Sequence, residues 1–472
     1  MPLDRPAAID TARALLRARA DELPRLDRVY RYTRGEHASV YVPKGARDEY
    51  RWIVERSVRN ITRLIVTTVA QALHVEGYRP AGSSENAAPW AVWQANRMDA
   101  RQHGVHRAAL KYGLAYTVVL PGDPTPVIKR FSPRRMTAVY ADVIDDEWPI
   151  YAVETFVERT KSGTRRIVRV YDDQARYSLL GPAELDVSDP SKIELTPAGE
   201  DWVETHGLGV CPVVRYLNVD DLDEAETVTG EVEPIIAMQD ALNLTAFNEA
   251  MAQQFGAFRQ RWATGMITEV DETGNPTEPF RARVDAMLTA ESADTKFGEF
   301  GQTDLTGFHD SFEATLRYVA TVTQTPPHAL LGQMANLSAE ALDSARDGLN
   351  SKIGERKSTL GESHEQTLRL AGLAAGDTAA WSDTAAQVVW RDVGARSLAQ
   401  TVDAWGKAVQ MLGIPAREVW ERIPGVSQTD VQRWQASADE GDAFARLNTL
   451  LDRQLDGPPP GADQAPETPP EA

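Results

Sequence analysis

The chain has little of what most function classes require. Cys211 is the single cysteine among 472 residues, so no internal disulfide can form. It sits in the apolar run LGVCPVVRY and reads as a small buried hydrophobe. No stretch approaches the ~20 apolar residues of a membrane-spanning helix. The opening MPLDRPAAIDTARALLRARADEL mixes acids into a basic helix and has no signal-peptide core, so a soluble, unexported chain is expected. Positive charge is in deficit, with 50 basic residues against 69 acidic and a net charge of −19. Such a balance excludes a broad surface that grips phosphate.

Catalytic signatures are missing as well. Rossmann glycine patterns, Cys-x-x-Cys pairs and nucleophile elbows do not occur. GLNSKIGERKST has the composition of a phosphate-binding loop without its G-x-x-x-x-G-K-[ST] spacing, and it lies within a predicted helix. A motor is therefore not expected. His103 and His106 in HGVH have a spacing that can chelate zinc, but no third ligand is near in sequence, so surface or half-buried histidines are expected. Seven carboxylates between Asp220 and Glu233, with no basic residue among them, lack the ligand order and glycine of an EF-hand and read as a solvated acidic surface. No enzyme, cofactor or metal is expected.

What is present is organised. The length implies two or three folded units. Residues 1–112 read as helical, with Ile53, Val54, Val58, Ile61, Ile65 and Val69 forming one core stripe. From about Leu114 to Leu217 the period drops to two in AYTVVL, MTAVYA, IYAVETFVE and RRIVRVYDD, with turns such as KSGT between. Helical spacing returns over 234–262, where Leu244, Phe247, Met251, Phe255, Phe258 and Trp262 step by three or four. Residues 263–303 read as strand, turn and strand, with Gly274, Asn275 and Pro276 at the turn.

A second amphipathic helix is predicted over 304–323, carrying Leu305, Phe308, Phe312, Leu316, Val319 and Val322 on one face. Then comes QTPPHALLGQMANLSAEALDSA, a soft and nearly uncharged interruption between two helices. Ser338 is placed to cap a long helix toward Ala374, weakened and bent at Gly348, Gly354 and Gly361. AAQVVWRDV reads as a strand. Helices follow from Leu398 to Leu412, from Ala416 to Ile423, and from a Ser427 cap toward Leu455. The tail 457–472, DGPPPGADQAPETPPEA with its preceding Asp456, is too polar to order itself.

Five blocks in this order resemble the portal proteins of long-tailed bacteriophages. They are YRYTRGEH with VRNITRLIVTTVAQALHVEGYRP, then WAVWQANRMDARQHGVHRAALKYGLAYTVV, EPIIAMQDALNLTAFNEAM, TPPHALLGQMANLSAEALDSA, and RSLAQTVDAWGKAVQMLGIP followed by ERIPGVSQTDVQRW. The resemblance implies an α+β, portal-like fold. It has a helical and β-rich wing (1–233), stem helices (234–262 and 304–323) and an α/β clip (263–303). A tunnel loop (324–337), a long helix with a returning wing strand (338–396) and a helical crown (397–456) complete it.

It further implies a ring, usually of twelve subunits, at one capsid vertex of the virion. Through it a terminase motor drives double-stranded DNA, and head–tail adaptors later attach. Major capsid and scaffolding proteins would be further partners, with assembly in the host cytoplasm and no membrane. The loop residues Pro326, Pro327, His328, Leu331, Gly332, Gln333, Met334 and Asn336 would then border the DNA channel. His328 is the only ionisable side chain from Gln324 through Leu337. Phe247, Met251, Phe255, Phe258, Phe308, Phe312 and Leu316 would pack the stem. Two other classes fit the same chain less well: a DNA-acting nuclease or packaging ATPase, and a capsid-associated, scaffold-like protein that forms no ring.

Overall fold

A computed structural model describes residues 1–38, 40, 48–81, 83, 85–161, 163–184, 189, 192–223, 225, 227–256, 261–264, 294–299, 304–331, 339–391, 398–420, 423, 426 and 430–441. Two compact units result, Met1–Arg391 and Asp392–Ala472.

The first unit opens with α1 (Arg5–Arg34). Asp4 starts it by accepting a 2.9 Å hydrogen bond from Ala7 N, and Gly35 ends it at φ 82°. Next come α2 (Asp48–Arg56), α3 (Thr62–Gln71), β1 (Val75–Arg79), α4 (Pro89–Ala95) and α5 (Met98–Tyr112). β1 thus interrupts the stretch 1–112, which was expected to be helical. Nine strands follow: β2 (Leu114–Leu120), β3 (Val127–Phe131), β4 (Met136–Val139), β5 (Tyr151–Thr160), β6 (Gly163–Tyr171), β7 (Ala175–Gly181), β8 (Thr196–Pro197), β9 (Val203–Thr205) and β10 (Val213–Leu217). They form a three-stranded sheet, β10-β2-β3, and a larger one, β4-β5-β6-β7-β8 with β9 also on β7.

Every residue of β2 is buried, although a two-residue period was expected there. The alternation is hidden because both faces are covered. Ala115 and Val119 enter the helical core with Val105, Ala109, Leu110 and Leu368, while Leu114, Tyr116, Val118 and Leu120 face a second core with Met136, Cys211 and Val213.

The chain then runs through α6 (Ile236–Gly256), β11 (Arg261–Thr264), β12 (Lys296–Glu299), α7 (Thr306–Val322), α8 (Pro327–Leu331), α9 (Ala339–Ala374), α10 (Thr378–Ser382) and β13 (Gln387–Trp390). β13 pairs antiparallel with β1, joining the far end of this unit to its beginning. α9 is a single 36-residue helix that Gly348, Gly354 and Gly361 do not interrupt. Its inner side carries Leu360, Leu368, Leu370 and Ala371 into the main core, which outweighs the glycine cost of ~1 kcal/mol each.

Two expectations are corrected here. The helix predicted over 234–262 stops at Gly256, because Arg261, Trp262, Ala263 and Thr264 pair with Glu299, Gly298, Phe297 and Lys296 in a ribbon. Gly256 is a poor helix former, and Trp262 and Thr264 favour a pleated strand. The interruption after α7 also contains a short helix, α8, rather than loop alone. Pro327 stands at its first position, where a missing N–H costs nothing.

The second unit contains α11 (Leu398–Leu412), a 3-10 turn at Ala416–Glu418 and a helix over residues 430–441. Val419 and Val431 are buried, and Trp420 meets Trp434 edge-on at 6.1 Å. The Ser427 cap, the continuation to Leu455, the tail and the turn at Gly274, Asn275 and Pro276 lie outside the described residues.

Candidate functional site

α6 and α7 lie against one another and lead to the 323–331 segment. Leu242, Leu316 and Val319 are buried between them together with Ile65 and Ile235, with Met238, Phe312 and Leu330 packed around. Phe312 and Leu316, expected to pack the stem, therefore pack within their own subunit. Phe247 is also buried, while Met251 and Phe308 are half-buried. Phe258 and the side chain of Phe255 lie outside the described residues.

Beside this seam runs an open groove of about 410 Å³ lined by Thr245, Asn248, Asp304, Gly307, Phe308 and Ser311. At about 100° per residue, Ser311, Tyr318 and Val322 share the flank of α7 that borders the groove. Asp310, Glu313 and Arg317 fall on the other side. On α6, Ala237, Ala241, Leu244 and Asn248 form the corresponding exposed row. Leu244 is 47% exposed, Tyr318 68% and Val322 51%. Apart from Asp304 at its mouth, the residues of these two rows carry no formal charge; Asp240 and Glu249 of α6 lie half-buried beside them.

α7 ends in a tight knot. Thr325 N bonds Ala320 O at 2.9 Å, Thr323 Oγ1 donates to Val319 O at 2.7 Å, and Gln324 adopts the left-handed φ of 51°. Thr325 and Pro326 are buried, Pro327 is exposed and His328 is half-buried. Leu331 closes α8; Gly332, Gln333, Met334, Asn336 and Ser338 lie outside the described residues.

Behind this knot is a charged cluster that sequence reasoning missed. Glu231, expected in a solvated acidic patch, is 8% exposed and bonds Lys352 and Arg356 of α9, the latter at 3.1 Å. Its neighbour Glu233 pairs with Arg25 at 2.9 Å. Lys352 Nζ also donates to Thr323 O at 2.9 Å. Residues 228–231 are pressed onto the end of α5, with Glu231 N on Leu110 O at 2.7 Å and Gly230 so close that a Cβ there would sit 2.3 Å from Lys111 O. That contact forces Glu231 inward, where α9 supplies the cations. An acidic run is legible in sequence; which of its members meets a lysine 121 residues away is not.

One of the two histidines also departs from expectation. His103 is half-buried, but His106 is fully buried, with its Nε2 2.8 Å from Nε2 of His364. α5 turns His106 toward α9, and Trp93 and Trp390 close over the pair. Tyr216 Oη is 3.1 Å from His364 Nδ1 and 2.7 Å from Thr367 Oγ1. Burial pushes His106 down to about 3 and His364 well below the usual histidine value, so both are neutral. Among the described residues, no three His, Cys, Asp or Glu side chains are grouped to hold a metal ion. No helix is long and apolar enough to cross a membrane, among the same residues.

Residues 13–443 match the family model described as "Phage portal protein, SPP1 Gp6-like", and the chain belongs to that family. The portal protein of Mycobacterium phage D29 is 28% identical over 425 residues, covering 84% of this chain and 81% of that protein. Among solved structures, a chain in the neck of a native gene transfer agent particle computed with C12 symmetry is 12% identical, with a TM-score of 0.43 over 82% of this chain and 95% of that one. A chain in the virion of a native gene transfer agent particle is 13% identical, with a TM-score of 0.43 over 80% and 93%. Family membership makes the chain a phage portal protein, a structural component of the virion.

Proposed function

We propose that copies of this chain, twelve in the expected assembly, close into a ring at one capsid vertex. Duplex DNA passes through its centre during packaging and ejection, with the 324–337 segment beside the duplex. Terminase binds this ring first and head–tail adaptors later, at the end formed by residues 263–303.

The observation that carries the reading is the uncharged flank of α6 and α7. Copies of a chain with net charge −19 repel one another, so close contact between them is favoured where formal charge is absent and apolar side chains are exposed. Leu244, Tyr318 and Val322 supply such a place. DNA is a poor occupant for this flank, because it presents no lysine or arginine to phosphate. A head-to-tail contact that closes on itself gives a ring. The nearly uncharged segment after α7 suits the bore, since each cation gripping phosphate would resist the movement of DNA.

Leu244→Glu and Tyr318→Glu test this. Both positions are exposed in the single chain, so each substitution is expected to change the stability of the unassembled chain by no more than about 0.5 kcal/mol. Native mass spectrometry is expected to give a multiple near twelve times 52.0 kDa for wild type and single chains for the variants. Variants that assemble as wild type does would remove this flank from the interface.

A further inference from the structure

We infer that the projecting ribbon of β5 and β6 is one half of a second contact between adjacent copies, and that the acidic loops 141–150 and 219–225 of the next copy are the other half. The inference rests on the reading of the portal as a closed ring of this chain. It adds a contact apart from the α6 and α7 flank and names the parts of two copies that meet in it.

β5 and β6 outrun the sheet they belong to. On one side β4 pairs with β5 only as far as Glu154, and on the other β7 pairs with β6 only from Arg166 onward. Residues 158–160 and 163–165 therefore have, among the described residues, only one another as strand partners. A two-stranded ribbon is marginal in water by itself, so one that projects gains stability where something covers it. Its side chains are cationic with one apolar foothold: Val157, Arg159, Lys161 and Arg165 are all exposed. Glu158 holds Arg165 at 2.7 Å, while Arg159 and Lys161 are without an acidic partner among the described residues.

The opposite end of β5 carries the opposite charge. Ile150 N bonds Val139 O at 2.8 Å where the strand begins, and its ten residues hold the preceding loop about 30 Å from the turn at Lys161. Residues 141–150 have four carboxylates and no base, and residues 219–226 have five and none. The two loops lie together, since Val143, Ile144, Val219, Asp220 and Leu222 line one small cleft. Ile144 and Leu222 are exposed at its edge. The first loop is held firmly: Asp142 Oδ1 accepts from Ile144 N at 2.8 Å, Asp146 Oδ2 accepts from Asp142 N at 2.7 Å, and Arg215 donates to Val143 O at 2.9 Å. Little ordering therefore opposes docking there. Arg369 neutralises Glu147, but Asp145 and Asp220 stay exposed with no cation beside them among the described residues.

Each end of β5 presents what the other lacks, yet the strand keeps the two ends apart within one chain. Between chains they can meet. Two different patches that lie apart make a heterologous contact, in which a copy gives its ribbon to one neighbour and its loops to the other, as ring closure requires. Opposite charges at this place also offset the mutual repulsion of chains that each carry −19. DNA would suit the ribbon alone, and a cationic protein the loops alone; a second copy suits both.

Carbodiimide cross-linking of the purified full-length chain, which joins only amines and carboxylates already in contact, tests the pairing. In assembled fractions Lys161 is expected to form an amide with Asp145, Asp220 or another carboxylate of these loops, and in single chains it should not. Amides from Lys161 only to carboxylates elsewhere would overturn the contact. Charge reversal gives a second readout. Arg159→Glu with Lys161→Glu, and separately Asp145→Lys with Asp220→Lys, should each raise the protein concentration for half-assembly at least about tenfold by native mass spectrometry. A chain with all four changes, and an equal mixture of the two variants, should both return toward wild type, because opposite charges then face one another again. Reversals that leave assembly unchanged, or losses that neither combination recovers, would give the ribbon or the loops to another occupant and overturn the inference. Wild type that remains single at every concentration would instead defeat the ring reading on which this rests.

Discussion

The neutral histidine pair gives a worked pH dependence. His106 and His364 are both 0% exposed, and burial holds His106 near 3 against an ordinary value of 6.5, with His364 also well below. Below 6.5 the unfolded chain takes up two protons that the folded chain refuses, so stability falls as pH falls. The cost per group rises from about 0.7 kcal/mol per pH unit at pH 6.5 toward about 1.4 kcal/mol per pH unit well below it. From pH 6.5, where the unfolded group is already half protonated, to pH 5.0 this amounts to about 1.6 kcal/mol each and about 3 kcal/mol together, or roughly 250-fold in the opening equilibrium. The assay is hydrogen exchange of the slowest amides of α5 and α9 at the two pH values, each corrected for the intrinsic rate. A His106→Asn/His364→Asn variant serves as reference, which cancels the contribution of carboxylates elsewhere. Wild type is expected to lose roughly 250-fold more protection than the variant. Equal losses would refute the argument that burial keeps these two rings unprotonated.

Gly113→Ala should lower stability by at least about 2 kcal/mol in thermal or urea unfolding, from positive-φ strain and overpacking combined. Its φ is 94°, and a new Cβ would fall 2.2 Å from Val228 O; Gly163→Ala, at φ 137° with open space around it, should cost less. Equal losses at the two positions would count against the close approach of α5 and residues 228–230. Cys211 is 1% exposed and burial raises its thiol well above the ordinary range, so thiol reagents should leave the native chain unlabelled at pH 8 and label it after urea. Rapid labelling of the native chain would contradict that burial.

How much of this was legible depended on distance along the chain. Periodicity gave α6, α7 and β5 with β6, because each is specified by neighbours within a few residues. It also marked α9, although the glycines suggested a weaker helix than the core packing of Leu360, Leu368 and Leu370 produces. The end of α6 was misplaced since Trp262 continues a helical spacing yet finds its partner at Gly298. The candidate segment stood out through its two prolines and lack of charge. The charged cluster behind it did not: Glu231 looks like one more solvated acid until Lys352 and Arg356 are folded against it. The proposed interface flank was hidden for a related reason. A hydrophobic stripe points to burial without saying against what, and the strongest stripe on α7 turned out to serve its own subunit, leaving Tyr318 and Val322 outside.

The central claim concerns where two surfaces lie in the assembled particle. An electron-microscopic reconstruction of the purified assembly, refined without imposed symmetry, measures it directly. The account predicts a closed ring with Leu244 and Tyr318 at the boundary between adjacent copies and residues 326–331 nearest the axis. A closed ring whose 326–331 segments sit on the outer rim, or copies that touch only through charged surfaces, would contradict it.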